Sequence, residues 1–111
     1  MLGIGGTLFA GFGEAAAVRT SATAKLQLLA TNPVTVAGTG FRSRERVRVT
    51  AWAGSEKSPT ARVVATRIGS FRVSLDELSA SRCDLVRVVA VRSTGDRVFL
   101  KRLPAPECMP E

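Results

Sequence analysis

Cys83 and Cys108 are the residues of this chain best suited to covalent chemistry, and the chemistry they suit is a structural bridge. An even cysteine count in a small chain with a leader-like start is a disulfide pattern. The bridge would close a loop of about 26 residues, worth roughly 3.5 kcal/mol in the chain-entropy model. Metal ligation is a poor alternative, since two isolated cysteines and no histidine do not make a tetrahedral site. Redox chemistry fits no better without a Cys-x-x-Cys spacing. The absence of histidine also removes a histidine general base and a histidine triad. Asp76-Glu77 is the only adjacent carboxylate pair, far short of the six to eight oxygens calcium takes. Gly38-Thr-Gly40 leads into no helix and cradles no phosphate, and the glycines between Gly3 and Gly13 follow no strand. The expectation is a protein that is not an enzyme, with no catalytic residues, no metal and no cofactor.

The other residues able to do chemistry are arginines. The net charge is +7, from 13 Arg and 3 Lys against 9 acidic residues. Such a balance suits nucleic acid, anionic glycans or lipid headgroups. The same Arg-rich, Lys-poor, Ala- and Val-rich composition is also what GC-rich coding yields, and the arginines are scattered singly rather than clustered in a tail.

These side chains must be positioned by a single domain, because 111 residues leave room for no more. Residues 1–17 stand apart. Leu2 to Phe12 is apolar and glycine-rich, and Ala15-Ala16-Ala17 is a small-x-small site, so the segment reads as a secretory leader cleaved after Ala17. No Lys or Arg precedes Arg19, so an apolar tail on a cytosolic protein stays open as the alternative. Residues 18–111 form the domain, ending in a tail with Pro104, Pro106 and Pro110.

From Lys25 to Leu103 the period is two, not 3.6. Seven strands are expected: Ala24–Leu29, Val34–Gly38, Arg46–Trp52, Thr60–Ile68, Ser70–Leu75, Leu85–Arg92 and Val98–Leu103. Gly38 and Gly40 permit a bulge or a positive-φ bend, after which Phe41 plugs the core. Gly54 to Pro59 reads as a polar turn. Gly69 reads as the turn of a hairpin between the fourth and fifth strands. Asp76 to Ser81 has room for one helical turn, with Ser74 and Glu77 resembling a capping box. Val47, Val49 and Ala51, then Val86, Val88 and Ala90, then Val98 and Leu100, face inward. Two amphipathic antiparallel sheets must bury their apolar faces together, so the fold class is an all-β sandwich.

Pro33-Val-Thr-Val-Ala-Gly-Thr-Gly-Phe41 followed by Val47-Arg-Val-Thr50 resembles the second and third strands of bacterial immunoglobulin-like domains. Gly69-Ser-Phe-Arg-Val73 resembles their later Gly-x-Phe-x-Val strand. Cys83 with Val88-Val-Ala-Val91 and Gly95 resembles a subgroup in small exported bacterial proteins, in which a final cysteine pairs back as Cys108 could. The likeness spans residues 24–108. The chain departs from antibody-type domains in having no cysteine on its second strand, and Trp52 falls at outward parity. The resemblance implies a sandwich and a secreted or cell-envelope setting, but no particular ligand.

In an immunoglobulin-like sandwich the third, sixth and seventh strands share a sheet. That would gather Arg46, Arg48, Trp52, Arg87, Phe99 and Lys101 on one outer face, beside Val89, Val91 and Arg97. Arginine next to aromatics grips phosphate or carboxylate and stacks on rings. The same face can also be ordinary solvated surface, with Arg stems covering Val89 and Val91. The expected function is a monomeric, non-catalytic extracellular binding or adhesion module for an anionic cell-envelope polymer or another protein. No small-molecule substrate is expected, and nucleic acid is not the favoured partner. The alternatives are an accessory domain with a purely structural role and a charge-driven nucleic-acid binder.

Overall fold

The structure, a computed structural model, describes residues 23–108. The expected leader and its cleavage point lie outside the described residues. Eight strands run in chain order: β1 Lys25–Thr31, β2 Val34–Thr39, β3 Arg46–Ala53, β4 Glu56–Lys57, β5 Ala61–Val64, β6 Phe71–Leu75, β7 Val86–Arg92 and β8 Arg97–Arg102. A 3-10 turn, Pro106–Cys108, ends the described chain. The smaller sheet has the order β1-β2-β6. In the larger, β8 pairs β7 and β7 pairs β3, and the far edge of β3 is shared by β5 and β4. Every pairing is antiparallel. The all-β sandwich is therefore the fold.

The core is made of small branched side chains. Val34 and Val36 of the smaller sheet meet Val47, Val49, Ala51, Val86, Val88 and Ala90 of the larger, none more than 1% exposed. Stiff Cβ branching suits Val to the pleat. Each buried Val contributes roughly 1.5–3 kcal/mol by area. Phe41 plugs one side of this core, its ring centroid 5.1 Å from that of Phe71.

Gly38 makes no bulge. It pairs regularly with Leu26 and Phe71, and a Cβ there would overlap the Phe71 and Phe41 rings, so glycine is the seat for two aromatics. The register shift falls instead in β1, between Leu28 and Ala30. Gly40 does take positive φ, 79°.

Three expectations about the middle of the chain are corrected. The described residues hold eight strands, not seven, because the stretch expected as a polar turn contains β4. Lys57 pairs with Trp52 and Glu56 with Ala53. The edge is then interrupted at Ser58, whose N–H donates to the Ala51 carbonyl at 2.8 Å while its Oγ accepts the Ala51 N–H at 3.0 Å. Pro59, with no N–H to offer, follows before β5 begins.

The fourth strand also stops at Val64 rather than Ile68, and it does not form a hairpin with β6. It pairs with β3 in the other sheet. A tight turn at Thr66–Gly69 does form, with the Gly69 N–H on the Thr66 carbonyl at 2.9 Å and Gly69 at φ 83°. Its arms diverge because residues 65–69 bond back to the loop after β2. Ala65 N–H donates to the Glu45 carbonyl at 2.8 Å, Arg44 N–H to Thr66, and Phe41 N–H to Gly69.

Thirdly, the link after β6 is not helical. The Leu78 N–H closes a turn onto the Leu75 carbonyl, and Ser74 Oγ bonds Asp76 rather than acting as a cap. Leu78 is 1% exposed, so the connection is held by a buried apolar plug.

Candidate functional site

β3, β7 and β8 share one sheet, and their registers place the outward residues in rows across it. One row reads Lys101, Arg87, Trp52, Lys57 from β8 to β4. The next reads Phe99, Val89, Thr50. The third reads Arg97, Val91, Arg48, Arg62, with Arg46 opposite Val64 beyond it. Seven of these positions are cations. None is a carboxylate, because Glu56, the only acid in these five strands, sits at the other parity of β4, opposite the buried Ala53.

All six sequence-predicted residues, Arg46, Arg48, Trp52, Arg87, Phe99 and Lys101, thus lie on one side of one sheet. The Arg87 guanidinium lies 5.1 Å from the Trp52 ring centroid and the Lys57 ammonium 5.7 Å, so the indole carries two cation–π contacts. Phe99 is 66% exposed. The Thr50 and Thr60 hydroxyls share a hydrogen bond at 2.9 Å. Two concavities open on this face. The larger, about 550 Å³, is lined by Arg46, Arg48, Arg62, Val64 and Val91 among others. The smaller, about 220 Å³, lies among Trp52, Arg87, Val89, Phe99 and Lys101.

Lys57 and Arg62 belong to the face, and the sequence reading did not place them there. Lys57 lies in β4, where the sequence reads as a turn, and Arg62 in β5, which pairs with β3 rather than with the strand after Gly69. The signal that could have found Arg62 is its alternation with Ala61 and Val63, which reads correctly once β5 is set beside β3.

A different kind of charge closes the ends of the sandwich. Glu45 and Arg92 form an ion pair, Nη2 to Oε1 2.7 Å, with side chains 1% and 9% exposed. A second bond, Arg92 Nε to Glu45 Oε2, makes it bidentate at 2.8 Å. Glu45 also accepts the Arg42 N–H at 2.8 Å. The hydrogen bonds from Arg92 hold the Glu45 carboxyl below the ordinary carboxylate range, against the opposing effect of burial, and Glu45 in turn raises Arg92. The Arg92 guanidinium also lies 5.1 Å from the Phe41 ring centroid.

At the opposite end Arg102 donates to the Ser81 carbonyl at 2.7 Å and the Asp84 carbonyl at 2.9 Å. Beside it Cys83 and Cys108 are bonded, Cα atoms 5.4 Å apart. The expected disulfide is present. The Ala105 N–H on the Arg82 carbonyl and the exposed Arg82–Glu107 ion pair, 3.1 Å, run alongside. The bridge thus pins the tail to the segment before β7.

Among the described residues no group of three or more His, Cys, Asp or Glu could hold a metal ion, and no helix is long and apolar enough to cross a membrane. No family model, curated protein or solved structure matches the chain. The molecule's distinguishing geometry is its own: a two-sheet sandwich with bonded charges at its ends and one cationic face.

Proposed function

We propose that this chain is a non-catalytic, extracellular binding module of immunoglobulin-like type that docks an anionic partner on the outer face of its larger sheet. One observation carries the reading: seven outward cations on five strands with no carboxylate among them. Clustering of one sign raises self-repulsion, which an anionic partner relieves. The extracellular setting is supported by the disulfide, which oxidising compartments favour. The immunoglobulin-like identity is supported by the Gly38-Thr-Gly-Phe41 segment and by the grouping of β3, β7 and β8 in one sheet.

Retention on a sulfated matrix across a salt gradient tests the reading. Changing Arg46, Arg48 and Arg87 together to Ser removes three charges from the face and should abolish retention near physiological salt. Changing Lys25, Arg67 and Arg72 to Ser removes three exposed charges elsewhere and should leave most of it. Equal losses in the two triple variants would mean that net charge alone binds, and the face would have no special role.

A further inference from the structure

Two features of the cationic face set it apart from diffuse basic surface. Arg48 and Arg62 are directly opposite one another in the β3–β5 register, and Arg87 and Lys101 are directly opposite in the β7–β8 register. Like charges at opposite cross-strand positions have Cβ atoms roughly 4.5–5.5 Å apart and destabilise a sheet. None of the four has a carboxylate partner among the described residues. Each pair also lines a different concavity, Arg48 and Arg62 the larger, Arg87 and Lys101 the smaller. A single oxyanion held between two such side chains would turn the repulsion into two charge-assisted hydrogen bonds.

We propose that these two pairs are twin anion seats which together hold one linear glycan bearing sulfate esters, laid diagonally across the sheet. This rests on the reading of the face as a binding surface and goes further by giving it two defined sites. Along β3 the two rows are four residues apart, about 13 Å, and the two pairs are two strand spacings apart, about 10 Å, so the seats are roughly 16 Å apart on the diagonal. The ground between them is uncharged, with Val89 and the hydrogen-bonded Thr50 and Thr60 hydroxyls. An uncharged stretch of chain can cross it without meeting a charge. Nucleic acid fits less well. Single strands are held by rows of free stacking rings, whereas of the two rings on this face Trp52 already carries Arg87 and Lys57, which leaves Phe99 alone. No Asn, Gln, Asp or Glu lies at an outward position of these strands to read a base edge.

The test is a length series titrated by calorimetry, with the fluorescence of Trp52, the only tryptophan, as a second readout. The probes are sulfated oligosaccharides and polyol-phosphate oligomers, each in lengths shorter and longer than the span, and a single-stranded DNA oligomer. Two seats acting on one chain predict that long probes bind about 100-fold tighter than short ones. Arg48→Ser with Arg62→Ser, or Arg87→Ser with Lys101→Ser, should each collapse that ratio below about tenfold. Lys25→Ser with Arg72→Ser, an equal loss of charge on the other sheet, should preserve it. Thermal melts check that each variant is folded. Tighter binding of the polyol-phosphate series than of the sulfated series overturns the sulfated glycan as the occupant. A length ratio that survives both pair variants, or falls as far in the control, overturns the twin seats while leaving a binding face. Tighter binding of DNA than of either ester series overturns the polymer class. No binding by the unaltered protein to any probe removes the binding face itself.

Discussion

Arginines at the ends of the sandwich and arginines on its outer face are the same side chain put to opposite uses. Arg92 and Arg102 occupy the inward rows of β7 and β8, where Arg92 follows the buried Val86, Val88 and Ala90 and Arg102 follows the buried Val98 and half-buried Leu100. The charges there meet fixed acceptors, the Glu45 carboxylate at one end and two backbone carbonyls on Arg102 Nη2 at the other, although Arg102 Nε is buried with no partner among the described residues. The outer-face cations have solvent and, at Trp52, an indole ring. Acceptors at the ends turn charge into structure. Their absence on the face leaves charge free for a partner, at some expense in stability. Substitutions at the two places should therefore move stability in opposite directions.

The largest effect is expected at Glu45. Truncating one member of a buried, bidentate pair leaves the other charge uncompensated, so Glu45→Ala should destabilise the fold by about 3–5 kcal/mol in urea denaturation. The pair also has a pH signature. Because the folded carboxyl titrates below its ordinary value, its stabilising contribution is complete above that value, near 4.5, and is lost as pH falls through the depressed folded value. The stability gap between the native chain and Glu45→Gln should be constant at neutral pH and shrink below about pH 4.5. A gap that stayed constant to pH 3 would mean Glu45 contributes shape rather than charge.

Arg102 is next. Replacing it by Met keeps much of the apolar stem but removes two hydrogen bonds to carbonyls, and charged hydrogen bonds are worth about 1.5–3 kcal/mol each. Partial access of water to this end lowers the figure, and a loss of about 2 kcal/mol is expected for Arg102→Met. A melt unchanged by Arg102→Met would place this end with the outer face.

That contrast was half legible in the sequence. Strict period two in Val47 to Ala51 and Val86 to Ala90 marked the inward rows, and every one of those residues is buried. The same alternation, carried one step further, puts Glu45 on the inward row of β3 and Arg92 on that of β7. An apolar pattern stops at the last apolar residue, so the pair was passed over. Thr60 to Ile68 was misread because alternation gives the parity of a strand and not its neighbour. The backbone bonds between residues 65–69 and the loop at Phe41–Glu45 decide that neighbour, and backbone bonds leave little mark in side-chain type. Ser58 is similar, since a hydroxyl standing in for a ladder bond looks like any polar loop residue. The outer face was found because the grouping of β3, β7 and β8 needed only strand order. Lys57 and Arg62 were missed because they lie on the edge whose pairing was misread.

The smallest effect has the opposite sign, which makes it the sharpest check on the contrast. Arg62→Thr removes one member of the Arg48–Arg62 pair and puts a good strand former in an exposed strand. Relief of cross-strand repulsion is worth about 0.2–1 kcal/mol, so the variant should melt slightly above the native chain at low salt. Raising ionic strength to 1 M shortens the screening length to about 3 Å and should erase the part of the difference that comes from charge, leaving only the contribution of strand propensity. Inorganic sulfate adds a second arm. An anion that binds the folded state alone stabilises it by an amount that grows with the logarithm of its concentration relative to Kd. Millimolar sulfate should therefore lift the native melt more than that of Arg62→Thr, and chloride at equal ionic strength should not. If Arg62→Thr instead lowers the melting point at low salt, the outer arginines stabilise the sheet through their stems. The face would then be structural in the same sense as the ends.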